Sequence, residues 1–204
     1  MKTLLLLPFA FSALFAFGPS LHAAEAAEAG KPAPNFTLPA GDGKTYELAA
    51  NKGKIVVLEW TNPECPFVKK FYEKGDMPKL QKDALAKGVI WYRINSGAPG
   101  KQGSQSAEQI AAYDKSHGVA ATASLLDADG KVGQAYGAKT TPQMVVINAE
   151  GTVVYNGAID NKNTPKQTDI AGATNYVTQA LGELAGGKPV SVSTSKPYGC
   201  GVKY

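Results

Sequence analysis

The stretch GKIVVLEWTNPECPFVKKFY, Gly53 to Tyr72, decides the fold. Its first part, Ile55 to Trp60, is β-branched and nearly all apolar, and it is bounded by Gly53-Lys54 and Asn62-Pro63. A short apolar run between turn signals reads as a strand buried on both faces. From Pro66 the period changes, and Phe67, Val68, Phe71 and Tyr72 fall on one face of a helix. Cys65 stands between the two elements. Proline suits the first helical position, because its missing N–H would be unpaired there anyway. Cys65 is therefore expected at the N-cap, where free N–H groups and the positive end of the helix dipole favour thiolate over thiol. Lys69, one turn on, adds positive potential, and Glu64 opposes it. The alternative is an inert, buried cysteine.

Working outward, Asn35 to Leu38 and Thr45 to Leu48 flank the turn Gly41-Asp42-Gly43-Lys44 and predict a hairpin. After Pro66 a helical pattern runs on to Gly88, interrupted by Gly75 and Pro78. Val89 to Ile94 is the next strand, and Ser106 to Ser116 the next helix, closed by His117-Gly118. His117 there complements the helix C-terminal dipole. Ser124 to Leu126 is a short strand before an Asp129-Gly130 turn. Gln143 to Ile147 and Thr152 to Tyr155 form a second hairpin, and Tyr176 to Leu184 marks a last amphipathic helix. Strands alternating with helices predict an α/β layered domain around a central mixed sheet.

The first residues read as an address. Lys2 precedes the apolar run Leu4 to Phe17, and small residues follow at Ala23, Ala24 and Ala26. This is the pattern of a secretory signal peptide, and the run is short of the roughly 20 residues of a spanning helix. An uncleaved anchor is the alternative. The expected organisation is a signal peptide over 1–23, a flexible lead-in over 24–32, the folded domain over 33–186 and a C-terminal tail over 187–204. The cleaved chain is expected in the periplasm or secreted, without stable membrane insertion. A formal charge of +4 with a single arginine, Arg93, argues against nucleic-acid binding. Two cysteines and two histidines, scattered along the chain, do not make a structural zinc site. Neither a metal nor a cofactor is expected.

Two further features carry chemistry. Thr141-Pro142 opens a strand, and X–Pro bonds adopt the cis form at a cost of only about 0.5–1 kcal/mol. Cys200 lies in the tail, which is long enough to reach Cys65. In an oxidising compartment the pair could form a permanent staple. It would close a loop of about 135 residues and stabilise the fold by roughly 5 kcal/mol in the chain-entropy model. Two other readings stay open: Cys200 resolves an oxidised Cys65, or it pairs with another chain.

These motifs resemble the redoxin branch of the thioredoxin superfamily, which includes the alkyl hydroperoxide reductase and thiol-specific antioxidant proteins and secreted thioredoxin-like reductases. Ala33 to Trp60 resembles the family's N-terminal hairpin and first core strand, Glu64 to Tyr72 its active-site helix, and Gly137 to Ile159 its cis-proline loop and following hairpin. The resemblance implies a thioredoxin-like fold with an N-terminal β-hairpin extension. It implies Cys65 as nucleophile, Pro142 as the cis-proline facing it, and the backbone of Thr141 holding a substrate chain beside the sulfur. Trp60 would line the groove.

Two departures bear on the reaction. Val68 stands where a thioredoxin-type motif has its second cysteine, so exchange within a Cys-x-x-Cys pair is excluded. Asn62 and Leu58 stand where a typical peroxiredoxin has its threonine and proline, and Thr61 is one residue out of register. The expected function is an exported thiol oxidoreductase that acts on a thiol or disulfide protein partner or a hydroperoxide, with disulfide chemistry favoured. A non-catalytic binding module with a structural Cys65–Cys200 bond is the second reading.

Overall fold

The structure, a computed structural model, describes residues 27–204; the expected signal peptide lies outside these. The sheet is built around β3 (Val56–Trp60), every residue of which is buried. Five strands are ordered β5-β4-β3-β7-β8. β4 (Ile90–Asn95) and β5 (Ala123–Leu126) run parallel to β3, while β7 (Gln143–Ile147) pairs antiparallel with it and β8 (Val153–Gly157) antiparallel with β7. The chain thus has a thioredoxin-like α/β fold. The hairpin of β1 (Thr37–Pro39) and β2 (Thr45–Glu47) is present as a separate two-stranded sheet.

Side chains alternate across β3, and this explains why its sequence is apolar throughout. Val56, Leu58 and Trp60 pack into one core with Phe36, Tyr92, Leu125 and Tyr136. Val57 faces the other core, which holds Cys65, Val68, Phe71, Trp91 and Met144. Burying a side chain such as Leu58 contributes about 1.5–3 kcal/mol.

Helix α1 (Pro66–Tyr72) is only seven residues long, and α2 (Asp76–Leu85) follows after Gly75. Gly75 interrupts the helical pattern as expected, with φ at +81°. Pro78 does not interrupt it. It sits in the first turn of α2, where no intrahelical N–H is required. α3 (Ala107–Ser116) begins at a capping box formed by Ser106 and Gln109, and His117 is its C-cap. The turn expected at Asp129-Gly130 leads into α4 (Lys131–Ala135), too short to show a period in sequence. The carboxylate of Asp127 accepts from the N–H groups of Val132 and Gly133 at 3.2 and 2.8 Å, satisfying its free donors. α5 (Tyr176–Ala185) is capped by Asn175, whose side chain accepts from the Thr178 N–H. Among the described residues no helix is long and apolar enough to cross a membrane.

Both ends of the described chain are tied down. From Ala27 the lead-in is not free, because Ala27 N–H donates to the Ala135 carbonyl at 2.8 Å and Gly30 N–H to Val153 at 2.8 Å. The C-terminal tail is likewise not a loose segment. It runs along β8, where Asn156 N–H donates to the Ser193 carbonyl, and the Ser195 hydroxyl accepts from Ala158 N–H. It then crosses to the Thr141-Pro142 loop, where β9 (Cys200–Gly201) pairs antiparallel with β6 (Thr140–Thr141).

Candidate active site

Cys65 is the N-cap of α1, with Pro66 at the first helical position, as the sequence predicts. The turn before it is held by Asn62: its carbonyl accepts from Cys65 N–H at 3.1 Å and its side chain from Glu64 N–H at 2.8 Å. The Thr141–Pro142 peptide bond is cis. Pro142 and Thr141 are buried, and the Thr141 carbonyl lies 3.1 Å from Cys65 Sγ. The nucleophile candidate and the proline loop therefore meet, although 76 positions separate Cys65 from Thr141.

Cys200 completes the cluster. It is the residue opposite Thr141 in the β6–β9 pairing, and its carbonyl accepts from the Thr141 hydroxyl at 3.4 Å. Both cysteines are free thiols. Burial disfavours ionisation of Cys65, but hydrogen bonds from the Cys200 thiol, from Thr141 and from the Cys200 and Val68 N–H groups more than offset it. The Cys65 pKa lies below that of an ordinary thiol. Cys200 goes the other way: burial and the proton it shares with Cys65 push it up to about 12. Of the two thiols, Cys65 is therefore the one that ionises first, and Cys200 keeps its proton to higher pH.

Cys65 is fully buried, as in the alternative reading of the sequence, and Cys200, which pairs with Thr141, hydrogen-bonds it. One expectation needs correction. Trp60 lines no groove. It is fully buried in the core on the opposite face of the sheet, where its indole N–H donates to Ser96 Oγ at 3.1 Å and its ring packs on Tyr136. Lys69 is exposed, one turn on from Cys65, and the groups that hydrogen-bond the sulfur are those named above. α1 is short, so the contacts of Cys200, Thr141 and Val68 matter more to the Cys65 sulfur than a long helix dipole.

The buried lysine of α1 is Lys70. Its Nζ donates to the carbonyls of Lys162 and Thr164 at 3.1 and 2.9 Å and lies 3.8 Å from Asp160 Oδ2. The Tyr198 hydroxyl donates to Asp160 Oδ1. Neither Lys70 nor Tyr198 stands out in sequence, since a lysine on an amphipathic helix and a tyrosine in an aperiodic tail are ordinary. Glu59 is a further residue that sequence reading passes over. It is fully buried in β3 and accepts from Tyr72 at 2.6 Å, Trp91 Nε1 at 2.8 Å and Gln81 at 3.0 Å. Arg93 Nε lies 3.9 Å from it, and the same guanidinium reaches Asp114, Ser124 and Thr61.

This arrangement has counterparts. Residues 28–176 match the family model described as Redoxin. The thiol-disulfide oxidoreductase ResA of Bacillus subtilis (strain 168) is 34% identical over 130 residues, covering 64% of this chain and 67% of that protein. An uncharacterized conserved protein from Geobacillus kaustophilus superposes with a TM-score of 0.74 at 28% identity, covering 88% of this chain and 94% of that one. A hypothetical protein from Sinorhizobium meliloti 1021 gives the same TM-score at 25% identity, with 88% and 96% covered. The model spans most of the chain, the cysteine at the helix start and the cis-proline loop lying within the matched residues, and the chain belongs to the Redoxin family.

Proposed function

We propose that this protein is an exported thiol-disulfide oxidoreductase in which Cys65 attacks and Cys200 resolves. The observation that carries the reading is the pairing of an acidified Cys65 with a proton-holding Cys200 beside the cis-proline loop. The similarity to ResA, an oxidoreductase by name, supports the same class of reaction. Cys65 thiolate attacks one sulfur of a substrate disulfide, forming a mixed disulfide and releasing the first substrate thiolate. Cys200 then attacks the Cys65 sulfur, its proton passing to the second leaving thiolate. Two electrons have moved to the substrate, and the chain holds a Cys65–Cys200 disulfide. An external dithiol reverses that bond. Export follows from the N-terminal signal pattern, which places the pair where disulfides persist.

The test is reduction of a protein disulfide, such as those of insulin, with dithiothreitol as the final reductant. Cys65→Ser is expected to abolish catalysis above the reductant alone. Cys200→Ser is expected to accumulate a mixed disulfide at Cys65, seen by mass spectrometry. Wild-type rates in Cys65→Ser overturn the assignment.

A further inference from the structure

We propose that the buried Lys70–Asp160–Tyr198 cluster is the latch that seats the C-terminal strand on Cys65, so that an outside partner gains the thiol only by displacing a segment of the chain's own. This rests on the reading of Cys65 and Cys200 as a redox pair and adds what controls access to it.

The strand β9 occupies the place a bound peptide would take. It pairs antiparallel with β6 immediately before Pro142, and it presents a cysteine at the position facing Cys65. The pairing covers the sulfur completely, so the closed form cannot admit a second chain. Something must hold so short a strand in place. Two backbone-paired residues are marginal on their own, as a lone hairpin is.

The hold comes from side chains two residues upstream. Tyr198 is 8% exposed and donates to Asp160 Oδ1, which also accepts from Lys162 N–H at 2.8 Å. Asp160 Oδ2 has no hydrogen-bond partner and faces Lys70 Nζ, whose side chain is wholly buried. The Tyr198 ring lies 5.5 Å from that ammonium and stands edge-on to Phe67 at 5.8 Å. Lifting Tyr198 therefore opens a buried ion pair and takes a donor from its carboxylate. Removing a hydrogen bond to a charged buried group is costly. Lys70 and Phe67 belong to the helix that Cys65 caps, so the latch fixes the tail directly against the nucleophile's own element. The anchor at the other end is weaker. Tyr204 donates to the Ala138 carbonyl at 2.7 Å but is 40% exposed.

The experiment compares wild type, Tyr198→Phe and Tyr204→Phe by two readouts. One is the rate at which iodoacetamide labels Cys65 in the reduced protein, resolved by peptide mass. The other is the equilibrium of the Cys65–Cys200 couple with glutathione, which reads how well Cys200 is positioned and which general loosening elsewhere does not move. Tyr198→Phe is expected to label about tenfold faster and to lower the equilibrium constant for disulfide formation about tenfold, about 30 mV for this two-electron couple. Tyr204→Phe is expected to stay within about twofold of wild type, as an exposed contact should. If Tyr198→Phe also stays within about twofold, or Tyr204→Phe matches it, the latch is wrong. If Tyr198→Phe does not fold, amide exchange in the wild type decides: protection at Val202, which donates to Lys139, supports the latch, and exchange at the rate of free chain overturns it. Labelling and glutathione equilibrium do not depend on turnover, so a failed oxidoreductase assignment and a failed latch give different results.

Discussion

Cys200 stands opposite Thr141 in an antiparallel pair, and the carbonyl of that Thr141 lies 3.1 Å from Cys65 Sγ. One backbone position therefore serves both cysteines. It pairs with the strand carrying one and contacts the sulfur of the other. Movement of the 140–142 loop would disturb both contacts together, and that coupling makes the consequences of small changes here calculable in sign.

The two thiols should titrate separately. Cys65 ionises below the ordinary thiol value, while Cys200 stays protonated up to about 12. As pH rises, the first proton is lost from Cys65 and the second only far into the alkaline range. Per-residue alkylation profiles at increasing pH should show Cys65 reaching its plateau at a lower pH than Cys200, which is still climbing at about pH 10. Cys200→Ala removes a donor to the Cys65 sulfur, so the Cys65 midpoint should move upward. A midpoint that moves down, or two coincident profiles, contradicts the shared proton.

Gly199 cannot be replaced without unseating Cys200. Its φ is +124°, in the region that favours glycine, and a Cβ there would lie 2.0 Å from the Thr141 carbonyl oxygen. Gly199→Ala should slow formation of the Cys65–Cys200 disulfide by at least about tenfold, in line with a strain of order 1–3 kcal/mol, while leaving the main sheet intact. Quenched-flow alkylation after addition of oxidised glutathione measures the rate, and far-ultraviolet circular dichroism checks the sheet.

Arg93 is a stability residue. It answers Glu59 and Asp114 from a fully buried position, with the Tyr72 and Tyr113 rings 5.0 and 5.1 Å away. Arg93→Met keeps the bulk and removes the charge, leaving Glu59 without its ion partner. Urea denaturation should show a loss of about 3–5 kcal/mol, the usual cost of breaking a buried pair on one side. A loss near zero would mean that Tyr72, Gln81 and Trp91 alone satisfy the carboxylate.

Hydrogen peroxide should be a poor substrate. Asn62 stands where a peroxiredoxin threonine would be and uses its side chain on Glu64 N–H and on Gln102. Arg93 hydrogen-bonds Asp114, Ser124 and Thr61 and not Cys65. Stopped-flow oxidation of Cys65 should therefore proceed within about tenfold of a free thiolate's rate, scaled by its ionised fraction. A rate orders of magnitude above that would point to peroxide chemistry instead.

The β-α core was legible because its signals are local. An apolar run bounded by turns, a change of period at Pro66 and a cysteine before that proline locate β3, α1 and the N-cap within a residue or two. The resemblance to the redoxin branch puts Thr141-Pro142 beside Cys65, and the structure brings them together. What escaped depends on partners far along the chain. β6 and β9 are two residues each, too short for any period, and exist because each finds the other. The resemblance puts Trp60 in a groove, but strand alternation from Leu58 puts it on the face away from Cys65. Glu59 is a polar residue in a buried strand, which sequence reading passes over. Its meaning lies in Trp91, Gln81 and Tyr72, which come from β4, α2 and α1.

Val68, standing where the usual second sulfur would be, has a consequence beyond the site. In a Cys-x-x-Cys protein, oxidation closes a ring of a few residues, and the rest of the molecule scarcely registers it. Here the electrons and the architecture are joined in one thermodynamic cycle, since the bond would gather most of the polypeptide, from 65 to 200, into a single covalent circle. By reciprocity, the amount by which that circle resists melting equals the amount by which the native packing resists its reduction.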